Sequence, residues 1–290
     1  MINDTVQHMD IGVKSILDYL LEKRSFDFSR YHLSMLERRI SQRVAATTCK
    51  DFSQYISLLH GDDHELDHLL DALTINFSRF FRDTLTFELI ADRVLPTILN
   101  EKISLRNRSL RIWSAGCAKG EEPYSLAILI HELLDREGIE MNLHIFATDI
   151  DGGALKDAAT AVYPLESVDH MKHRLLTKYF IATEELFRLI PEIKKLVTFS
   201  HYDILDKKHG VPPESVFGNF DLVLCRNLLI YFNPEYQETI FSRLSHALAE
   251  NGHLILGEAE ARPLKYQRYF ERVFEFSPIY RKKILGELQG

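Results

Sequence analysis

Gly116 and Gly120 bracket a short loop in the segment SAGCAKGEEPYSLAILI, Ser114 to Ile130, and two carboxylates, Glu121 and Glu122, follow at once. Glycines at such a turn let the backbone come close to a ligand. A phosphate at this place would want bare amides or a lysine at the start of a helix. Here the acids stand where a phosphate would rest, so the loop suits a neutral or cationic ligand with groups to bind. Acids near a helix N-terminus are also favourable by themselves, by roughly 0.3–1 kcal/mol. That explains one glutamate more readily than two adjacent ones.

Asp149 closes a second apolar segment, LHIFATDID, Leu143 to Asp151. A carboxylate at the end of such a strand accepts two hydrogen bonds from a ribose diol. NAD, FAD and S-adenosylmethionine all carry a ribose. The loop reads G-C-A-K-G rather than the dinucleotide fingerprint G-x-G-x-x-G. S-adenosylmethionine has no phosphate, and its amino-acid end and sulfonium cation tolerate nearby carboxylates. A further segment, TINFSRFFRDTLTFELI from Thr74 to Ile90, bunches Asn76, Ser78 and Arg82 with Phe77, Phe80 and Phe81. The phenylalanines read as packing rather than as a base-stacking platform. Asn76, Ser78 and Arg82 suit a lid over the ligand, although Arg82 also reads as an ordinary surface residue.

These residues need elements to hold them. Up to about Ile90 the pattern is helical: YHLSMLERRISQRVA puts Leu33, Leu36, Ile40 and Val44 on one stripe, and DDHELDHLLDAL is again amphipathic. Arg38, Arg39 and Arg43 lie beside or opposite that stripe, either as a solvated charged face or as a basic helix meeting an acidic partner. Strand signals then alternate with helical ones. LRIWSAG, LHIFATDID, FDLVLCRNLLIYF, NGHLILGEAE and VFEFSPIYRKK carry strands, while EPYSLAILIHELLD, GALKDAATAVY and EYQETIFSRLSHAL carry helices. Pro123 falls in the first turn of its helix, where a missing N–H costs little. Such alternation predicts a mostly parallel α/β sheet from about residue 105, preceded by a small helical domain and a linker near NEKISLRNRS. Ligands of such sheets sit at the carboxyl ends of the strands, at the switch point, where loops 114–121, 149–151 and 225–228 converge.

Composition narrows the partners. A net charge of −7 argues against a general nucleic-acid binder, and no apolar run is long enough to span a membrane. The N-terminus has no apolar signal core, so export is not expected. Cys49, Cys117 and Cys225 are too few for a disulfide framework and lack zinc-motif spacing, which suits a reducing cytoplasm and no metal. Cys117 and Cys225 read as fillers of tight strand-end space.

Five segments taken in order, NFSRFFRD, SAGCAKGEEPYSLA, FATDID, FDLVLCRNLLIYF and LILGEAE, together with the basic helix LERRISQR, are similar to the CheR family. These are S-adenosylmethionine-dependent protein-glutamate methyltransferases of bacterial chemotaxis. The resemblance covers nearly the whole chain. It implies an all-helical N-terminal domain over about 1–90 and a Rossmann-like methyltransferase domain over 91–290, with a small inserted antiparallel β-subdomain near 163–198.

By the resemblance, Asn76, Ser78 and Arg82 contact the cofactor across the domain junction, and Gly116, Gly120 and Glu121 form the cofactor turn. Asp149 is the ribose acid, Asn227 and Leu228 line the adenosyl pocket, and Arg243 lies near the site. Arg38, Arg39 and Arg43 face the helical cytoplasmic region of a chemoreceptor, and the product is S-adenosylhomocysteine. The chain departs from the family at Ser78 (usually threonine), at Lys119 (commonly threonine) and at Glu258 and Ala259 (usually His-Ser). The inserted loop YFIATEELFRLIPEI is short and lacks glycine, which argues against tethering by a receptor's C-terminal peptide. A cytoplasmic monomer is expected.

The chemistry implied is an in-line methyl transfer to a carboxylate. Glutamate, with a pKa of about 4.3, is already a nucleophile at neutral pH, so no general base is required. Arg82 suits the role of orienting that carboxylate through its forked guanidinium. Tyr231 either lines the methyl channel or packs at a strand end. An NAD-dependent oxidoreductase and a non-catalytic cofactor-binding regulator remain the alternatives at this point.

Overall fold

The computed structural model describes residues 2–74, 78–206 and 208–284. The chain divides into two compact units, Met1–Asn76 with Tyr231–Tyr236, and Phe77–Ile230 with Gln237–Gly290. Among the described residues no helix is long and apolar enough to cross a membrane.

The first unit is built from α1 (Ile2–Arg24), α2 (Leu33–Ala45), α3 (Phe52–Gly61) and α4 (Asp63–Thr74). Apolar residues three and four apart put one face of each helix inward. Val13, Ile16 and Leu20 of α1, Leu36, Ile40 and Val44 of α2, and Leu66, Leu69 and Leu73 of α4 are all buried. Leu33, expected on the α2 stripe, opens that helix and is instead 48% exposed. Asp51 caps α3 by accepting the Gln54 N–H at 2.9 Å. The segment after residue 230 joins this unit through the chain between α1 and α2. The His32 N–H donates to the Tyr231 carbonyl at 2.9 Å, and the rings of Tyr31 and Phe232 lie 4.6 Å apart.

The second unit begins with α5 (Thr84–Leu89), a π-helical turn at Ile90–Val94, and α6 (Leu95–Ser104). Phe80, Phe81, Phe87, Ile90 and Val94 are buried in one core with strand and helix residues further along the chain. That packing is why the division falls at residue 76, ahead of the boundary expected near 90. The expected linker in NEKISLRNRS is also corrected, since α6 runs through Ser104 with Ile98 and Leu99 buried.

Strands and helices then alternate. β1 (Ser109–Ala115), α7 (Glu121–Glu137), β2 (Asn142–Asp149) and α8 (Gly152–Thr160) come first. β3 (Val162–Pro164), α9 (Leu165–Val168), α10 (His173–Tyr179), β4 (Phe180–Ala182), β5 (Leu186–Leu189) and α11 (Pro191–Lys194) follow. The chain closes with β6 (Val197–His201), β7 (Phe220–Cys225), α12 (Pro234–Ala247), β8 (Leu248–Leu256), β9 (Phe270–Arg272) and β10 (Ile279–Lys282). The main sheet has the order β6-β2-β1-β7-β8-β10-β9, with β6 to β8 parallel and β10 antiparallel to both its neighbours. β7 is buried at every residue, as a central parallel strand covered on both faces must be. β3, β5 and β4 form a separate antiparallel sheet. Because the chain leaves β1 toward β2 and later returns on its other side with β7, the switch point opens between β1 and β7.

Candidate functional site

The carboxyl ends of β1, β2 and β7 present the loops that carry the expected residues. Gly116 has φ +74°, and a Cβ there would lie 3.0 Å from a methyl of Leu228, so only glycine lets Leu228 settle over this turn. Gly120, with φ +88°, leads directly into α7. Asp149 reaches across from β2: one oxygen accepts the Ala118 N–H at 2.8 Å and the other the Asp151 N–H at 3.0 Å. Each oxygen keeps a lone pair for another donor. Burial raises the Asp149 pKa from its ordinary value, against the pull of these amides.

The two adjacent glutamates have different environments. Glu122 accepts from the Ser114 hydroxyl at 2.8 Å and from Arg226 at 3.2 Å, so it is internally paired. Glu121 is 2% exposed, with Oε1 3.4 Å from the Ser167 hydroxyl and Oε2 buried with no hydrogen-bond partner among the described residues. Burial pushes its carboxyl up to about 7. An orphaned buried acceptor of this kind is an invitation to a cationic donor.

The segment with Ser78 and Arg82 is pinned to the same corner. The Phe80 N–H donates to the Ser167 carbonyl at 2.9 Å, and the Phe81 N–H to the Ser125 hydroxyl at 3.0 Å. Ser125 in turn donates to the Glu121 carbonyl at 2.6 Å. Phe80 meets Tyr163 and Phe180 edge-on, with ring centroids 4.8 and 5.1 Å away, so its role is packing. Ser78 and Arg82 are half-buried. Asn76 and Phe77 lie outside the described residues.

Sequence reasoning missed Arg226. It is buried directly after β7 and ties three strands of chain together. Its guanidinium donates to the Asp83 carboxylate at 2.7 Å, to the Arg82 carbonyl at 2.8 Å and to Glu122 at 3.2 Å. It also lies 5.2 Å over the Phe87 ring. The available signal was a charge directly behind six apolar strand residues, FDLVLC. The corner is also strained. Phe81, Asp83, Ala118 and Asn227 all have φ between +46° and +59°, where residues with a side chain rarely sit. Such residues gather at functional sites because the surrounding bonds over-determine them.

Asn227 and Leu228 follow β7 on this same rim, half-buried. Arg243 of α12 donates to the carbonyls of Ile204 at 2.8 Å and His209 at 3.3 Å, in the loop after β6. That loop begins at Tyr202, whose N–H donates to the Asp149 carbonyl. Cys117 and Cys225 are buried, and burial raises both thiols far from reactivity. Tyr231 packs within the first unit, half-exposed.

In the first unit, Arg43 is partly exposed and engaged within the fold. It forks onto Glu65 at 2.7 and 2.5 Å, and the Tyr55 hydroxyl donates to the same carboxylate at 2.7 Å. Burial alone would raise the Glu65 pKa, but these bonds outweigh it and hold the carboxyl below its usual range. Arg39 donates to the Ala72 carbonyl at 2.8 Å, and its Nε is buried. Arg38 is the exposed member of the three.

Residues 76–276 match the family model of the CheR methyltransferase, SAM binding domain, and residues 12–74 that of the CheR methyltransferase, all-alpha domain. A chemotaxis protein methyltransferase 2 of Pseudomonas aeruginosa is 33% identical over 226 residues, covering 77% of this chain and 76% of that protein. A chemotaxis protein methyltransferase of Salmonella typhimurium is 30% identical over 257 residues, 87% of this chain and 84% of its own length. An uncharacterized 104.1 kDa protein of Rhodobacter capsulatus is 32% identical over 246 residues, 85% of this chain, and the chain spans 25% of that protein's length.

Proposed function

The chain belongs to the CheR methyltransferase family, and we propose that it moves a methyl group from S-adenosylmethionine to glutamate carboxylates on the helical cytoplasmic region of chemoreceptors. The products are a glutamate methyl ester and S-adenosylhomocysteine. The observation that carries the reading is the pairing of a half-buried acid at the end of β2, Asp149, with an orphaned buried acceptor at the start of α7, Glu121.

The residues present fit the cofactor. Asp149 has lone pairs left for a ribose diol, and Glu121 suits the ammonium of the methionyl end. Asn227 and Leu228 would hold the adenosyl group, with Gly116 and Gly120 keeping the turn low beneath it. When bound, the cofactor supplies an electrophilic methyl on a sulfonium. Glu122 differs from Glu121 in having its charge balanced by Arg226, with Ser114 donating to its other oxygen, so its part is to hold Arg226.

The protein's work is alignment. A carboxylate needs no base, and holding reactants in line contributes about 7–11 kcal/mol in favourable cases. Arg82 orients the receptor carboxylate, and Arg226 and Asp83 fix the backbone from which Arg82 projects. Arg82 must not grip the ground state harder than the transition state, or it quenches the nucleophile. Ser78 and Arg243 complete the cofactor's surroundings. Arg38 is the residue of α2 suited to an acidic face on the receptor. Tethering by a receptor's C-terminal peptide is not part of this proposal. The enzyme acts in the cytoplasm, as a monomer.

Calorimetric titration with S-adenosylhomocysteine tests the reading, with NADH as the competitor class. Wild-type protein is expected to bind S-adenosylhomocysteine in the micromolar range, and Asp149→Ala is expected not to. A preference for NADH would overturn it.

A further inference from the structure

Glu260 stands just beyond β8 and is buried, yet among the described residues no charged group pairs with it. Its carboxylate turns back to receive backbone N–H groups. Oε2 accepts from Gly257 at 2.6 Å and Asn227 at 3.0 Å. Oε1 accepts from Leu228 at 2.8 Å, Leu229 at 2.7 Å and Ile230 at 3.4 Å. Four of these donors belong to the consecutive residues 227–230, directly after β7. Successive amides aimed at one point form a concavity that elsewhere holds an anion, and here a side chain of the same protein fills it.

The consequence falls on the two residues beside it. Asn227 is held at φ +58°, a left-handed conformation that a non-glycine residue keeps only when its surroundings enforce it. Leu228 is held over the Gly116 turn. The fit is close: a Cβ at Gly257 would lie 2.8 Å from both the Asn227 nitrogen and Glu260 Oε2. We propose that Glu260 is a positioning residue for cofactor binding, whose carboxylate fixes the conformation of the Asn227–Leu228 rim. The inference rests on the reading above that this rim faces the adenosyl group. Only a carboxylate suffices, because a glutamine offers one acceptor oxygen and must aim its NH2 at amide donors.

The test compares Glu260→Gln and Glu260→Asp with Lys102→Met. The last breaks an ion pair of 2.7 Å to Asp221, at the opposite end of β7, and serves as a purely structural control. The Kd for S-adenosylhomocysteine is read by calorimetry well below every unfolding transition, with amide exchange at residues 228–230. Glu260→Gln is expected to weaken binding by about tenfold or more and to speed exchange at those amides. Glu260→Asp falls between it and wild type and supplies the reading if the glutamine variant does not fold. Lys102→Met leaves both quantities at wild-type values. Binding within about twofold of wild type in both Glu260 variants overturns the inference. So does an equal loss in Lys102→Met at a matched fall in Tm. Failure of wild-type protein to bind S-adenosylhomocysteine would instead overturn the proposed function.

Discussion

The guanidinium of Arg226 lies 2.7 Å from the carboxylate of Asp83, and the same group donates to the carbonyl of Arg82. The arginine side chain is 2% exposed and Asp83 25%. Truncation to Arg226→Met leaves Asp83 and Glu122 without their cation, which is expected to cost about 3–5 kcal/mol of stability by denaturant unfolding. Arg226→Lys should recover part of that and little of the transfer rate, because an ammonium cannot fork onto Asp83 and the Arg82 carbonyl together. A kcat that survives in Arg226→Lys would detach Arg82's position from this anchor.

Glu121 sets a pH dependence. Its folded pKa of about 7 lies above the ordinary carboxylate value, so burial makes the charged form costly. Between roughly pH 4.5 and 7 the folded protein holds a proton that the unfolded chain has lost. This group's contribution to stability therefore falls as pH rises through that window. A cationic ligand group selects the ionised form, so S-adenosylhomocysteine should bind about tenfold more tightly at pH 8 than at pH 6, with proton release. The Glu121→Gln variant should show weak binding with a flat profile over the same range, and a profile like wild type would remove Glu121 from the site.

Arg43 and Arg38 should separate stability from recognition. Loss of Arg43 leaves a nearly buried Glu65 without its guanidinium partner, at a cost of about 2–4 kcal/mol in the first unit. Arg38→Ala should change stability by less than about 0.5 kcal/mol, as exposed substitutions do. It should raise KM for a receptor fragment while leaving the Kd for S-adenosylhomocysteine alone. Unfolding and steady-state kinetics on the two variants check both halves.

Gly116→Ala combines an unfavourable φ of +74° with a clash against Leu228 at 3.0 Å. A destabilisation of about 1–3 kcal/mol is expected, together with weakened cofactor binding. Retained affinity would show that Leu228 moves without consequence.

Much of this site was legible in the residue pattern because its loops follow apolar strands. LRIWSAG, LHIFATDID and FDLVLC became β1, β2 and β7, and their terminal glycine and acids stand where strand ends present them. What was not legible depends on long-range partners. Arg43 looks like any charged residue beside a stripe until Glu65 folds against it from α4. Helical periodicity shows that the chain around Phe87 has an apolar face, but not that it faces the core of the second unit. Phe81 and Asp83 at positive φ leave no trace in composition, since neither is a glycine. Two adjacent glutamates read alike, and only Ser114 and Arg226 reveal that one is internally satisfied.

The most direct measurement is transfer of a labelled methyl group from S-adenosylmethionine to a chemoreceptor cytoplasmic fragment, by wild type and Arg82→Ala. A carboxyl methyl ester is cleaved by alkali, so the account predicts label on the fragment that alkali releases as methanol. It also predicts sharply less label with Arg82→Ala, at an unchanged Tm. Label that resists alkali, or no transfer by a wild-type protein that binds S-adenosylhomocysteine, would contradict it.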